Sequence, residues 1–168
     1  MTRGDRRHVA IHEVGHTIVA LAHGAESAIL SISRGRTPTG WASIVYRPHT
    51  GPLVIAAGGF AGTIAEIIYD HPNAGEEEIM DCVVYDESWK FSHSDMHAIH
   101  AIHRYWRYRA AVRAVKTLKH HWPTTHRLTN GLLNARGFFV VGRECLNPIR
   151  FNAGEVQEFL VRTRVGPR

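Results

Sequence analysis

With only two cysteines in 168 residues, Cys82 and Cys145, the chain cannot carry a disulfide framework. The pair fits a reducing compartment, with both thiols packed rather than reactive. Lysine is nearly as scarce: Lys90, Lys116 and Lys119 are the only three, so the net charge of +5 rests on arginine. Such basicity fits either a nucleic-acid face or a soluble surface, and 13 histidines add charge at mildly acidic pH. No apolar signal segment stands near the N-terminus, and no uninterrupted run approaches the ~18 apolar residues of a membrane span. The expectation is a soluble, cytoplasmic protein with no membrane partner. Repeats and low-complexity segments are also missing. A hydrophobic content of 44% is enough for one domain, 1–168, with an ordinary core.

What the chain does have is His12-Glu13-Val14-Gly15-His16, an H-E-x-x-H sequence. At i and i+4 of a helix, two imidazoles share one face and can bind one ion, while the intervening glutamate stands ready as a general base for water. In so histidine-rich a chain the pattern is expected by chance roughly 0.06 times, so the surrounding residues matter as much as the motif. Ile11, Val14, Ile18 and Leu21 recur at i, i+3, i+7 and i+10, an apolar stripe, with His12, His16 and His23 on a different face. Thr2 and Asp5 have the spacing of a capping box, and either can start the helix.

Residues 28–34 and 40–47 are β-prone runs separated by Gly35, Pro38 and Gly40, which predicts a small sheet with a turn. Residues 52–69 are apolar and rich in small side chains. Their length is near that of a membrane span, but the glycines and Glu66 favour a buried helix. Residues 71–90, with Glu76, Glu77, Glu78, Asp81, Asp86 and Glu87, read as a surface excursion containing a short helix. One long helix is predicted from Ser94 to His121, ended by Pro123. A further helix is expected over 125–136, a strand or buried connector over 138–141 and a last helix over 152–161. The fold class is α+β, mainly α, with a small β-sheet.

Several residues have two readings. Asp95 is either a ligand or an ordinary carboxylate in the first turn of a helix. Glu66, in a buried helix, either steadies a ligand histidine or is a satisfied structural glutamate. His93 and His97 repeat the i, i+4 spacing and, with His100 and His103, form a second histidine concentration, either metal-binding or a solvated, pH-responsive face. Gly40, Trp41, Ala42 and Ser43 begin a strand that either receives an extended substrate at its edge or is simply part of the sheet. Arg104, Arg107, Arg109, Arg113, Lys116 and Lys119 interleave with Tyr105, Trp106 and Tyr108 in a nucleic-acid-like pattern. The periodicity of Tyr105, Tyr108, Val112 and Val115 more simply predicts a core stripe.

The order of motifs resembles the peptidase domain of the FtsH family of zinc proteases. After H-E-x-x-H comes Arg34-Gly35-Arg36-Thr37-Pro38-Thr39-Gly40, similar to that family's R-G-x-x-x-x-G turn. Ala61-Gly62-Thr63-Ile64-Ala65-Glu66 follows, and then Ser92-His93-Ser94-Asp95 at a helix start. The resemblance spans residues 5–121, leaving 122–168 as a helical extension. It implies a zincin-like domain in which His12, His16 and Asp95 hold Zn2+ and Glu13 is the catalytic base. The implied activity is a stand-alone metallopeptidase acting on peptides and unfolded or flexible proteins. The sequence departs from the family in having Thr63 for arginine, no glycine before the Ser-Asp element and an unusual 70–90 connection. It also has no Walker A sequence, ATPase domain or membrane anchor, so cleavage is expected to be ATP-independent. The alternative is a catalytically silent module of the same fold that engages a protein partner or DNA.

Overall fold

Asp5 starts the first helix by accepting a hydrogen bond from the Arg7 amide at 3.1 Å, so the cap falls on Asp5. Thr2 lies outside the described residues; a computed structural model describes residues 5–35, 37–84 and 91–147. Helix α1 spans Arg6–Ala22, and Ile11, Val14, Ile18 and Leu21 are all fully buried, as their periodicity predicts. Past its end, Gly24 takes φ +109°, a left-handed turn that favours glycine and redirects the chain into the sheet.

Strands β1 (Ser27–Ile32) and β2 (Gly40–Val45) pair antiparallel, from Ser27 opposite Val45 to Ile32 opposite Gly40. Strand β3 (Phe139–Gly142) pairs antiparallel with the other edge of β1, which resolves the 138–141 segment as a strand. The order β2-β1-β3 leaves β2 on the outside.

Helix α2 (Pro52–Asp70) is the centre of the fold. Proline sits in its first turn, where a missing N–H costs no helical bond. By length and apolarity the helix matches a membrane span, but α1, α4 (His93–His100) and α5 (Arg104–His120) pack around it. Its small residues allow that packing. Gly15 of α1 lies so close that a Cβ there would stand 2.7 Å from both the Ala61 carbonyl oxygen and Ala65 Cβ. Helix α3 (Glu76–Val84) buries Ile79, Met80 and Val83 and turns Glu76, Glu77, Glu78 and Asp81 to solvent. Asp86, Glu87 and Lys90 lie outside the described residues.

The single helix expected over 94–121 is two: α4 (His93–His100) and α5 (Arg104–His120), separated by Ala101–His103. Ser92 caps α4, and the His103 ring caps α5 by accepting from the Tyr105 amide. The expected core stripe on α5 holds in its second half, where Val115 is buried and Val112 packs half-buried against the core, and fails in its first. Tyr105 and Tyr108 are exposed, and the buried face is Ala110, Ala111, Ala114, Val115 and Leu118. The face that packs against α2 is built from small and aliphatic side chains, and Tyr105 and Tyr108, near the start of the helix, fall off it.

Helix α6 (Trp122–Asn134) begins around Pro123, so that proline opens one helix as well as closing the last. A short 3-10 turn, Arg143–Leu146, carries Cys145, fully buried and pushed up to about 12 by burial and then by Glu144, hence an inert thiol. The helix expected over 152–161 lies outside the described residues. The architecture is α+β, mainly α, as its sequence pattern predicts.

Candidate metal centre

One turn of α1 separates His12 from His16, and their rings stand 4.6 Å apart, nearly perpendicular. Each ring is anchored through Nδ1. His16 donates to the Gly58 carbonyl at 2.7 Å, and since a carbonyl only accepts, Nδ1 carries the proton. His12 Nδ1 lies 3.2 Å from Glu66 Oε1. Both anchors come from α2, and both leave Nε2 facing the same space.

Asp95 closes that space from α4. As the third helical residue after the Ser92 cap, it is carried inward by the first turn. Its Oδ2 lies 3.4 Å from His12 Nε2 and its Oδ1 3.4 Å from His16 Nε2. One ligand atom from each residue falls within 4.8 Å of the others, and among the described residues this is the one such group. Two further observations fit the arrangement to a cation. Asp95 Oδ2 is buried with no partner but the His12 ring, whose Nε2 stands 3.4 Å away. Gly62 of α2 leaves the space at the ring nitrogens clear: a Cβ there would stand 2.5 Å from His16 Nε2 and 2.6 Å from His12 Nε2. Two imidazoles and a carboxylate are a donor set suited to zinc.

The electrostatics follow from burial and crowding. Burial alone would push the His12 imidazolium down, but hydrogen bonding to Asp95 and Glu66 outweighs it and holds the group at about 10. Burial, reinforced by the charge on His12, lowers His16 to about 4. Burial pushes Asp95 upward, yet the hydrogen bond from His12 and the nearby His16 ring leave it below the ordinary carboxylate value. Glu13 is buried and makes no ion pair or side-chain hydrogen bond among the described residues. Desolvation raises it to about 7, with His12 opposing and Asp95 and Glu66 adding to the rise.

A cavity of about 430 Å³ joins these groups to the sheet. Gly40, Trp41 and Ala42 of β2 line it, together with Glu13, Ile44 and Tyr46; Ser43 does not. The structure thus brings together His12, Glu13, His16, Asp95 and the start of β2. Glu66 touches only the far nitrogen of His12, which makes it a support for that ring. His23 bonds Thr117 at 2.9 Å instead, and His93, His97, His100 and His103 are exposed outside the group. Sequence reasoning does not single out Gly58, Gly62 or Tyr46 as site residues. For Tyr46 the alternation Gly40, Ala42, Ile44, Tyr46 is the available signal. Burial raises its hydroxyl above the usual tyrosine value, and the group makes no hydrogen bond among the described residues. No signal in a single sequence marks the two glycines, because their role is the empty space beside another helix.

No protein-family model matches this chain, and no curated protein is found to be related to it.

Proposed function

We propose that the protein is a zinc-dependent metallopeptidase with a zincin-like domain, cleaving peptides and unfolded or flexible protein segments. One observation carries this reading: two imidazole Nε2 atoms and the Asp95 carboxylate converge in the cavity that holds Glu13 and is bordered by an outer strand. Zinc, when bound, would supply Lewis acidity toward a peptide carbonyl and toward water. His12, His16 and Asp95 are the residues that would hold it. Glu66 and the Gly58 carbonyl keep the two Nδ1–H groups occupied, so that Nε2 is the donor atom on each ring.

Glu13 performs the proton transfers. As a carboxylate it takes a proton from the attacking water, and as a carboxylic acid it returns that proton to the leaving amine nitrogen. A group held near 7 serves both halves of that cycle at neutral pH. β2 offers main-chain hydrogen bonds along its outer edge, positioning an extended peptide across Glu13. Only a chain free to extend can lie there, so folded substrates resist. No group that handles a nucleotide takes part in this proton cycle, so cleavage of a chain that is already extended proceeds without ATP.

The test is to digest a stable globular protein and an unfolded variant of it side by side, with and without ATP and with and without a zinc chelator. The expected result is cleavage of the unfolded chain alone, indifferent to ATP and abolished by the chelator. Equal rates on both substrates, full activity after zinc removal, or no cleavage across a broad peptide library would overturn the reading.

A further inference from the structure

Helix α5 contains no acidic residue, and its solvent side remains without a partner among the described residues. Tyr105 is 72% exposed, Tyr108 49% and Trp106 42%, which is unusual for three large aromatics within four positions. Arg104 and Arg109 lie beside them, exposed, and Arg113 and Lys116 follow one and two turns on, whereas Arg107 turns its Nε into the packed side of the helix. Neither Arg104, Arg109, Arg113 nor Lys116 has a carboxylate within ion-pair distance among the described residues. The Arg109 guanidinium instead lies over the Trp106 ring, 5.1 Å from its centroid. Tyr105 packs edge-on to the same ring at 5.5 Å.

The acidic helix α3 does not neutralise this surface. It meets α5 near the other end, where Lys119 Nζ donates to the Ala74 carbonyl, just before the glutamates begin. Among the described residues, the N-terminal half of α5 therefore presents flat rings together with positive charge that no carboxylate pairs. Each component alone has an ordinary explanation: exposed arginines keep a protein soluble, and exposed aromatics mark protein contacts. Interleaved within two turns, they match a polymer that carries a negative charge and a π-face in every repeat.

We propose that the α5 face binds single-stranded nucleic acid, with Tyr105 and Tyr108 stacking on bases and Arg104, Arg109 and Arg113 on phosphates. A single strand is favoured over a duplex because paired bases do not expose their faces to a ring. The helix also carries none of the Asn or Gln side chains that read adenine edges in the major groove. An acidic protein would satisfy the arginines but leave the rings without a role. The site is separate from the metal centre, since no α5 residue lines that cavity.

The experiment is fluorescence anisotropy of a labelled 20-nucleotide oligo(dT) with the full chain across a salt series. A duplex of the same length and poly-glutamate serve as competitors. The expected result is binding to the single strand that the duplex and poly-glutamate compete for poorly. The double variant Tyr105→Ala/Tyr108→Ala should weaken it by roughly 10-fold or more. Arg104→Gln/Arg109→Gln should lower the slope of log affinity against log salt by about 0.7 for each phosphate no longer neutralised. These side chains are exposed, and unchanged circular dichroism and zinc content verify that the variants fold. Three results would each overturn the proposal: no binding at low salt, competition by poly-glutamate equal to that of unlabelled oligo(dT), or aromatic variants that bind as the wild type does. Self-association of the chain, abolished in the same variants, would assign the face to a second copy instead.

Discussion

Gly40 opens β2 directly on Glu13: a Cβ at this position would stand 2.7 Å from Glu13 Cγ and 2.9 Å from its Oε1. The strand and the Glu13 carboxylate are in contact because one residue has no side chain.

Gly40→Ala therefore displaces Glu13 without touching a metal donor. Zinc content should stay at the wild-type level while kcat falls by on the order of 10²-fold, within the range a positioned general base contributes. Steady-state kinetics with metal analysis checks this; an alanine variant with wild-type kcat would show that the contact is incidental.

Gly62 plays the corresponding role for the metal. A methyl group at this position would lie between the two Nε2 atoms, so Gly62→Ala should abolish stoichiometric zinc binding while leaving a buried helix position otherwise tolerant of alanine. Zinc titration by calorimetry measures it, and tight binding in the variant would put the ion elsewhere.

The ligand assignment separates three carboxylate and imidazole candidates. Asp95→Ala should lose zinc severely, because two imidazoles alone hold the ion poorly. Glu66→Gln should weaken binding by roughly 10–100-fold, as expected when a partner behind a ligand histidine is altered. His93→Ala, exposed and outside the group, should have no effect. Full zinc retention by Asp95→Ala with loss in either other variant would reverse the assignment.

Zinc binding should also release protons in a defined pH range. The metal-free His12 is protonated below about 10, whereas a ligand imidazole must offer a lone pair. Between about pH 8 and 9, above Glu13 and His16 and below His12, close to one proton should leave per ion bound. Zinc affinity should rise about tenfold per pH unit in that window. Calorimetry in buffers of different ionisation enthalpy counts the protons, and a count near zero would mean that His12 is already neutral. The same sign governs the metal-free fold. Because the folded state raises His12, its stabilising contribution is complete below its unfolded value of about 6.5 and is lost as pH rises toward 10.

Much of this centre is legible in residue order. His12 and His16 are fixed by helical spacing alone, since the apolar stripe through Ile11 and Val14 dictates which way the imidazoles face. Asp95 is not: between it, Glu66 and His93 only the tertiary placement of α4 against α2 decides, and periodicity says nothing of how two helices cross. The break at Ala101–His103 is invisible in the sequence because no glycine or proline marks it. The cap there is a histidine, a residue with no strong capping preference. Periodicity puts Tyr105 and Tyr108 in the core because size and apolarity usually travel together. In α5 the buried face is instead built mainly from alanines, chosen by the closeness of α2 rather than by hydrophobic bulk.

Glu13 is proposed to move protons rather than to hold the metal, and Glu13→Gln separates the two roles. The variant is near-isosteric and keeps the packing beneath Gly40, so its zinc content should equal that of the wild type. Cleavage of an unfolded protein should fall by roughly 10²- to 10⁴-fold, the usual contribution of general acid–base catalysis. Undiminished cleavage by a zinc-loaded Glu13→Gln variant would exclude Glu13 as the group that moves the proton.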